Sequence, residues 1–181
     1  MSSGFGGGAE AVRILGIDPG SRLTGFAVIE TGSRQSRSLG HGVVRPRAKA
    51  FPERLGEIFA GIEEVIAELA PEVLAIESVF VARNAQSAIK LGQARGAAIC
   101  AATRAGLPVH EYTPRAIKLA VVGVGGAGKE QVQHMTQQIL SLGEPASSDA
   151  ADALAVALCH AHTDASQARL QPAAAIGGGR P

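Results

Sequence analysis

Short apolar runs near the start of the chain alternate with turn residues, and longer stretches further on repeat their apolar residues every three or four positions. The runs Val12–Ile17, Gly25–Ile29 and His41–Val44 follow one another closely and predict three strands of an antiparallel meander. Two later runs, Val73–Ile76 and Val109–Tyr112, predict two more strands. The first of these two is most simply parallel to Val12–Ile17.

The longer stretches predict five helices. Between Pro52 and Pro71 the apolar residues recur at helical spacing, and Pro71 marks the end of the helix. Four further helices are predicted over Asn84–Arg104, Thr113–Leu119, Lys129–Leu140 and Asp149–His160. The order β-β-β-α-β-α-β-α-α-α implies an α/β fold in which helices flank a mixed sheet.

Length and composition indicate one domain. A chain of 181 residues with 46% hydrophobic residues can bury one core, which we place at residues 12–162. Residues 1–11 are predicted to form a flexible extension, and residues 163–181, rich in Ala, Gly and Pro, a disordered tail. No apolar run approaches the roughly 18 residues that span a bilayer. Both cysteines lie in apolar helical stretches, which is typical of a reducing compartment, so we expect a cytoplasmic protein.

The charges are segregated along the chain although the net charge is only +1. Residues 1–50 hold seven basic and three acidic side chains, and residues 81–129 hold seven basic and one acidic. Residues 51–80, by contrast, hold one basic and seven acidic side chains. One surface is therefore expected to be positive, as binding to a phosphate backbone requires.

Four acidic residues, Asp18, Glu77, Asp149 and Asp152, lie where predicted strands end or a predicted helix begins. Strand ends at one edge of a sheet lie close together, and residues three apart share one helix face. Carboxylates gathered in this way repel one another unless a cation lies between them. Oxygen ligands suit Mg²⁺ or Mn²⁺, and paired ions of this kind drive phosphodiester hydrolysis. The pattern indicates a metal-dependent nuclease.

Each acid taken singly also fits a structural role. Asp18-Pro19-Gly20 is a turn sequence. Asp149 and Asp152 fit the N-cap and third position of a helix, and Glu77 fits a solvated strand end.

The second predicted helix has a face of very small side chains, Ala85, Ala88, Gly92 and Gly96. Small residues permit close backbone approach, either to the sheet or to a second copy of the chain, and we favour the sheet. A glycine-rich run, residues 123–129, fits part of a phosphate-binding loop and raises the alternative of a nucleotide-binding protein. However, Glu130 stands where that motif requires Ser or Thr, so we expect a loop before a helix.

Five segments together resemble the RuvC-type Holliday-junction resolvases of the ribonuclease-H-like superfamily: Ile14–Ser21, Ala75–Phe80, Ser87–Gly96, Lys129–Met135 and Asp149–Ala155. The first segment alone is shared with sugar-kinase and actin-like ATPases, whereas all five in order are specific. The resemblance spans roughly residues 12 to 162. It implies a mixed five-stranded sheet with helices on both faces.

The same resemblance implies a homodimeric endonuclease that nicks a four-way DNA junction symmetrically and works with a RuvA–RuvB branch-migration complex. Asp18 would bridge two Mg²⁺ ions, which Mn²⁺ can replace, with Glu77, Asp152 and Asp149 completing the ligand set. In some relatives a His replaces Asp149. An RNA-directed member of the superfamily is the remaining alternative, since a metal site does not distinguish DNA from RNA.

The resemblance also implies four DNA contacts. Lys118 and Lys129 match basic positions near the scissile strand, although each alone fits a solvated lysine at a helix end. Phe80 matches an aromatic residue that engages bases at the crossover, and its alternative role is a core side chain. Arg83 lies in the same predicted loop and is expected to contact the junction backbone. Arg95 lies in a matching segment but has no predicted role.

Overall fold

Three strands come first and the last two strands alternate with helices, as the sequence predicts. The computed structural model describes residues 11–32, 35–78 and 84–170. Its elements are β1 (Val12–Asp18), β2 (Thr24–Thr31), β3 (Ser36–Val44), α1 (Phe51–Leu69), β4 (Val73–Glu77), α2 (Ala85–Arg104), β5 (Val109–Tyr112), α3 (Pro114–Val122), α4 (Lys129–Ile139) and α5 (Ser148–Leu170).

The five strands form one mixed sheet in the order β3-β2-β1-β4-β5. β2 is antiparallel to both β1 and β3, whereas β4 is parallel to both β1 and β5. Ile17 pairs with Ile76, so β1 and β4 end side by side, at Asp18 and Glu77. We call this end of the sheet the acidic end. The predicted mixed sheet and the parallel pairing of the first and fourth strands are confirmed.

Helices cover both faces of the sheet. Side chains that alternate along β1 separate the two cores: Leu15 and Ile17 pack with residues of α1 and α2, and Ile14 packs with residues of α3, α4 and α5. The same alternation carries on to the strand ends. Asp18 follows Ile14 at even spacing and therefore lies on the α5 face, as does Glu77 at the end of β4.

A row of very small residues lets α5 lie directly on the sheet. Gly16 of β1 pairs with Ala27 of β2 on one side and with Ala75 of β4 on the other. Both alanines belong to the core on the α5 face. A methyl group added at Gly16 would overlap the carbonyl oxygen of Ala153 and would lie 2.9 Å from the Ala157 side chain. Because the two backbones are this close, only glycine fits at residue 16.

Two elements are much longer than the sequence predicts. β3 begins at Ser36 and not near His41, because its polar first half pairs with β2 as an edge strand with few apolar residues to mark it. α5 continues to Leu170 and not His160. Asp164, Ala165 and Ser166 are exposed, so no apolar periodicity marks this part of the helix in the sequence. The helix therefore passes residue 162, where we placed the domain boundary.

Residues 1–10 and 171–181 lie outside the described residues. The division of the chain at residues 11 and 162 stays a prediction. In the described part of the chain, no helix is both long enough and apolar enough to cross a membrane.

The contact at Gly16 gives a prediction for stability. Gly16→Ala should lower the free energy of unfolding by about 1–3 kcal/mol, because the methyl group forces α5 away from β1. We expect a fall in Tm of about 2–4 °C for each kcal/mol, measured by calorimetry. Gly56→Ala is the matched control, since Gly56 is an exposed residue of α1 with no neighbour to obstruct a methyl group. That variant should keep or raise the Tm, and an equal loss in both variants would contradict the steric argument.

Candidate active site

Asp18 and Glu77 meet at the acidic end of the sheet. The two carboxyl groups are close enough to share a hydrogen bond when one of them carries a proton. Burial, together with repulsion from Glu77, Asp152 and Asp149, raises the pKa of Asp18 to about 8. Burial also raises the pKa of Glu77, against the hydrogen bond to Asp18, which lowers it. Ionising both carboxyl groups of this pair at once is therefore unfavourable.

The start of α5 brings the other two acids to the same place. Gly25, at the start of β2, lies against the backbone of Asp149 so closely that a methyl group there would overlap the Asp149 carbonyl oxygen. α5 begins at Ser148, so Asp149 lies in its first turn and Asp152 about one turn further on. All four predicted acids are therefore in one group. We call Asp18, Glu77, Asp149 and Asp152 the acidic cluster.

Two lysines face the acidic cluster from the neighbouring helices. Lys129 begins α4, and its Nζ donates a hydrogen bond to Asp152 Oδ2 at 2.6 Å. Lys118, in α3, joins Lys129 in lining a cavity of about 220 Å³ that also contains Glu77 and Asp152. Both lysines lower the pKa of Glu77, while the bond to Asp152 raises the pKa of Lys129. The lysines predicted as DNA contacts thus lie beside the acids.

The donor set fits a hard divalent cation, although its side chains are not arranged around one. Four carboxyl groups supply only oxygen ligands, and the raised pKa of Asp18 shows that positive charge is in short supply among them. At present the one charged partner of Asp152 among the described side chains is Lys129. No three acidic, His or Cys side chains of the described residues already form a group that could hold a metal ion.

Arg95 is a positioning residue that the sequence analysis did not find. Its Nε donates a hydrogen bond to the carbonyl oxygen of Glu77 at 3.3 Å, and its guanidinium lies 2.6 Å from Glu111 Oε2. The guanidinium thus ties α2 to the ends of β4 and β5. No spacing rule indicates this contact, because the residues it joins lie on three separate elements.

Phe80 and Arg83, the other predicted DNA contacts, lie outside the described residues. The glycine-rich run before Lys129 follows helix α3, which ends at a left-handed Gly123, and does not follow a strand as a phosphate-binding loop does. Lys129 itself contacts Asp152. The arrangement argues against the nucleotide-binding alternative.

Comparison with known proteins agrees with the geometry of this site. The family model described as "Crossover junction endodeoxyribonuclease RuvC" matches residues 14–160. The chain belongs to the RuvC family. Members of this family are divalent-metal-dependent endodeoxyribonucleases, and the predicted family and fold are confirmed.

Two RuvC relatives show how much of the chain is shared. The crossover junction endodeoxyribonuclease RuvC of Vibrio campbellii (strain ATCC BAA-1116) is 58% identical over 151 residues, which cover 83% of this chain and 87% of that protein. The protein of the same name from Geobacter sp. (strain M21) is 57% identical over 162 residues, covering 87% of this chain and 97% of that protein.

Two solved structures have folds similar to that of this chain. "T. thermophilus RuvC in complex with Holliday junction substrate" aligns with a TM-score of 0.81 and 39% identity, over 86% of this chain and 96% of that chain. The yeast mitochondrial Holliday junction resolvase Ydc2 aligns with a TM-score of 0.61 and 12% identity, over 87% of this chain and 82% of that chain. At that identity Ydc2 supports the fold alone.

The repulsion within the acidic cluster gives a prediction for stability against pH. The pKa of Asp18 is about 8 in the folded chain and 3.8 as the ordinary value. The folded state therefore retains a proton that the unfolded state loses, and its stability falls as pH rises between these two values. Asp18→Asn removes this loss. Without metal, we expect its Tm to exceed that of the wild type by an amount that grows from about pH 5 to about pH 8.

Thermal scans in the presence of a chelator at several pH values measure this difference. Glu68→Gln, which neutralises an exposed acid near the end of α1, is the control and should follow the wild type. A gap in Tm between Asp18→Asn and the wild type that stays constant with pH would contradict the raised pKa.

Proposed function

We propose that this protein resolves four-way (Holliday) DNA junctions by paired symmetric nicks, in homologous recombination and DNA repair. The observation that carries the proposal is the acidic cluster at the end of β1 and β4, with Lys118 and Lys129 beside it. Membership of the RuvC family supports DNA over RNA as the substrate. The Thermus relative bound to a Holliday junction, similar over 86% of this chain, supports the choice of a junction.

We assign the acidic cluster to the binding of two Mg²⁺ ions, for which Mn²⁺ can substitute. Asp18 lies among the other three acids, all of which act on its pKa, and this supports a bridging position. Glu77 and Asp152 would each hold an ion, and Asp149 would complete the set. When bound, the ions would lower the pKa of the water that attacks the phosphodiester and would offset the negative charge that develops on the leaving 3′-oxygen.

The neighbouring side chains hold and orient the DNA in this proposal. Lys129 reaches Asp152 directly, so the same flexible ammonium can turn to a phosphate at the cut site. Lys118 lines the same cavity and supplies a second positive charge. Phe80 would stack on bases at the crossover and Arg83 would bind the junction backbone, and both assignments rest on the family resemblance alone.

The proposed assembly is a homodimer that uses the first half of α2. The buried residues of this helix are Ala94, Ala98, Ala101 and Ala102, most of them in its second half. In the first half, Ile89 is 62% exposed, and Gly92, like Gly96 one turn further on, has open space where a side chain would stand. The small residues that we expected to face the sheet are therefore open to a second copy of the chain.

Two further proposals rest on the resemblance and on composition. They are a partnership with a RuvA–RuvB complex and a cytoplasmic location.

The dimer predicts a change in mass. Ile89→Asp should place a charge in the apolar centre of the contact and yield particles of one chain, 18.4 kDa, in sedimentation equilibrium. The control is Leu119→Asp, which alters a side chain of α3 that is 56% exposed and outside the proposed contact. The control should keep the mass of two chains. A wild-type protein with the mass of one chain, at the concentrations used for cleavage, would contradict the homodimer.

The function itself is tested by incubating the protein with a labelled four-way junction and Mg²⁺, beside a linear duplex of the same sequence. We expect paired nicks in the junction alone. The Asp18→Asn variant should bind the junction with unchanged affinity and cut none of its strands, because it lacks the carboxylate at the centre of the acidic cluster. Cutting of the duplex at the same rate would retain the nuclease and exclude the resolvase. Wild-type cleavage by Asp18→Asn would exclude the assignment of the cluster.

A further inference from the structure

A positively charged segment lies at the acidic end of the sheet, on the side away from Lys118 and Lys129. β3 ends at Val44, which pairs with Thr24, and the adjacent pair of β1 and β2 is Asp18 with Gly25. The residues after Val44 therefore leave the sheet at the same end as Asp18. They are two strands away, about 10 Å at the usual strand spacing.

This segment, residues 45–49, exposes its three cations to solvent. Arg45, Arg47 and Lys49 are exposed, whereas Pro46 and Ala48 between them are partly buried. The exposed side chains supply three separate positive groups, each of which can meet a phosphate of one DNA strand.

The backbone of the segment is held while its cations are left free. The Glu57 side chain of α1 accepts hydrogen bonds from the backbone N–H groups of Arg47 and Ala48. Within the described residues, none of the guanidinium or ammonium groups of Arg45, Arg47 and Lys49 lies within salt-bridge distance of a carboxylate. The Glu57 carboxylate is thus occupied with the backbone of the segment.

The first turn of α1, directly after the segment, also holds hydrogen-bond donors without an acceptor among the described residues. Its N-cap, Ala50, has no side chain that can accept a hydrogen bond from the free N–H groups of the first turn. The Nε of Arg54, in the same turn, is buried without a hydrogen-bond partner among the described residues. Glu53, which is exposed, is the acid of this turn. Unfilled donors and an unpaired cation together call for an anion.

We infer that residues 45–49 form a second phosphate-binding surface, which holds the backbone of a junction arm beside the acidic cluster. The inference rests on the proposed function and adds residues that it does not include. Lys118 and Lys129 act on the α5 side of the sheet end, and the segment acts on the α1 side. A DNA strand that passes the acidic cluster would then be held on both sides of the cleaved bond.

The test compares two variants with the same loss of charge. Arg45→Gln with Arg47→Gln removes two cations of the segment. Arg37→Gln with Arg104→Gln removes two cations from the opposite end of the sheet, where each is paired with a glutamate. Binding of a fluorescent four-way junction is measured by anisotropy in the presence of a chelator, from about 50 to about 200 mM salt.

We expect the first variant to lower the slope of log Kd against log salt by about 1.8 and to weaken binding roughly tenfold at the lower salt concentration, since each lost phosphate contact contributes about 0.9 to the slope. The second variant should keep the wild-type slope. The second variant should also keep the wild-type single-turnover cutting rate at saturating protein, because neither the acidic cluster nor the segment is altered in it.

An unchanged slope in the first variant, with a wild type that binds and cuts the junction, would overturn this inference and leave the proposed function standing. Equal losses in both variants would also overturn it, because overall charge would then explain the effect. A wild type that does not bind the junction would overturn the proposed function as well.

Discussion

The contact of the α5 backbone with the sheet is the constraint on which the rest of the structure depends. At Gly16 and Gly25 the helix approaches the sheet so closely that no side chain fits at either residue. Ala27 and Ala75, which flank Gly16 on the neighbouring strands, have side chains short enough to permit this approach. Because α5 lies so low, its first turns reach the ends of β1 and β4. The acidic cluster therefore assembles only when α5 packs against the sheet.

This arrangement concentrates negative charge at a cost to the fold. Four carboxyl groups in a partly buried position raise the pKa of Asp18 to about 8, and Lys129 compensates only one of them directly. A protein under selection for stability alone would place apolar or neutral residues there. The chain thus gives up folding free energy to maintain a site of high affinity for positive charge, which is the usual relation between a functional site and its scaffold.

The sequence was sufficient to predict every strand and helix in order, because each is a distinct apolar run or periodic stretch. It was also sufficient to place Asp18, Glu77, Asp149 and Asp152 in one group, since strand ends at one edge converge. The contacts at Gly16 and Gly25 could not be predicted, because a glycine in a strand does not reveal what lies above it. Arg95 was missed for a similar reason. The polar half of β3 was missed because an edge strand needs few apolar residues.

The position of the acids along the chain also affects synthesis. Asp18 and Glu77 leave the ribosome early, whereas Asp149 and Asp152 belong to the last described helix. The sheet cannot hold its α5 face until that helix has been made, and the acids cannot gather before it docks. A chain that ends before α5 therefore lacks half of the acidic cluster, and the two acids that it does have are not joined by the others.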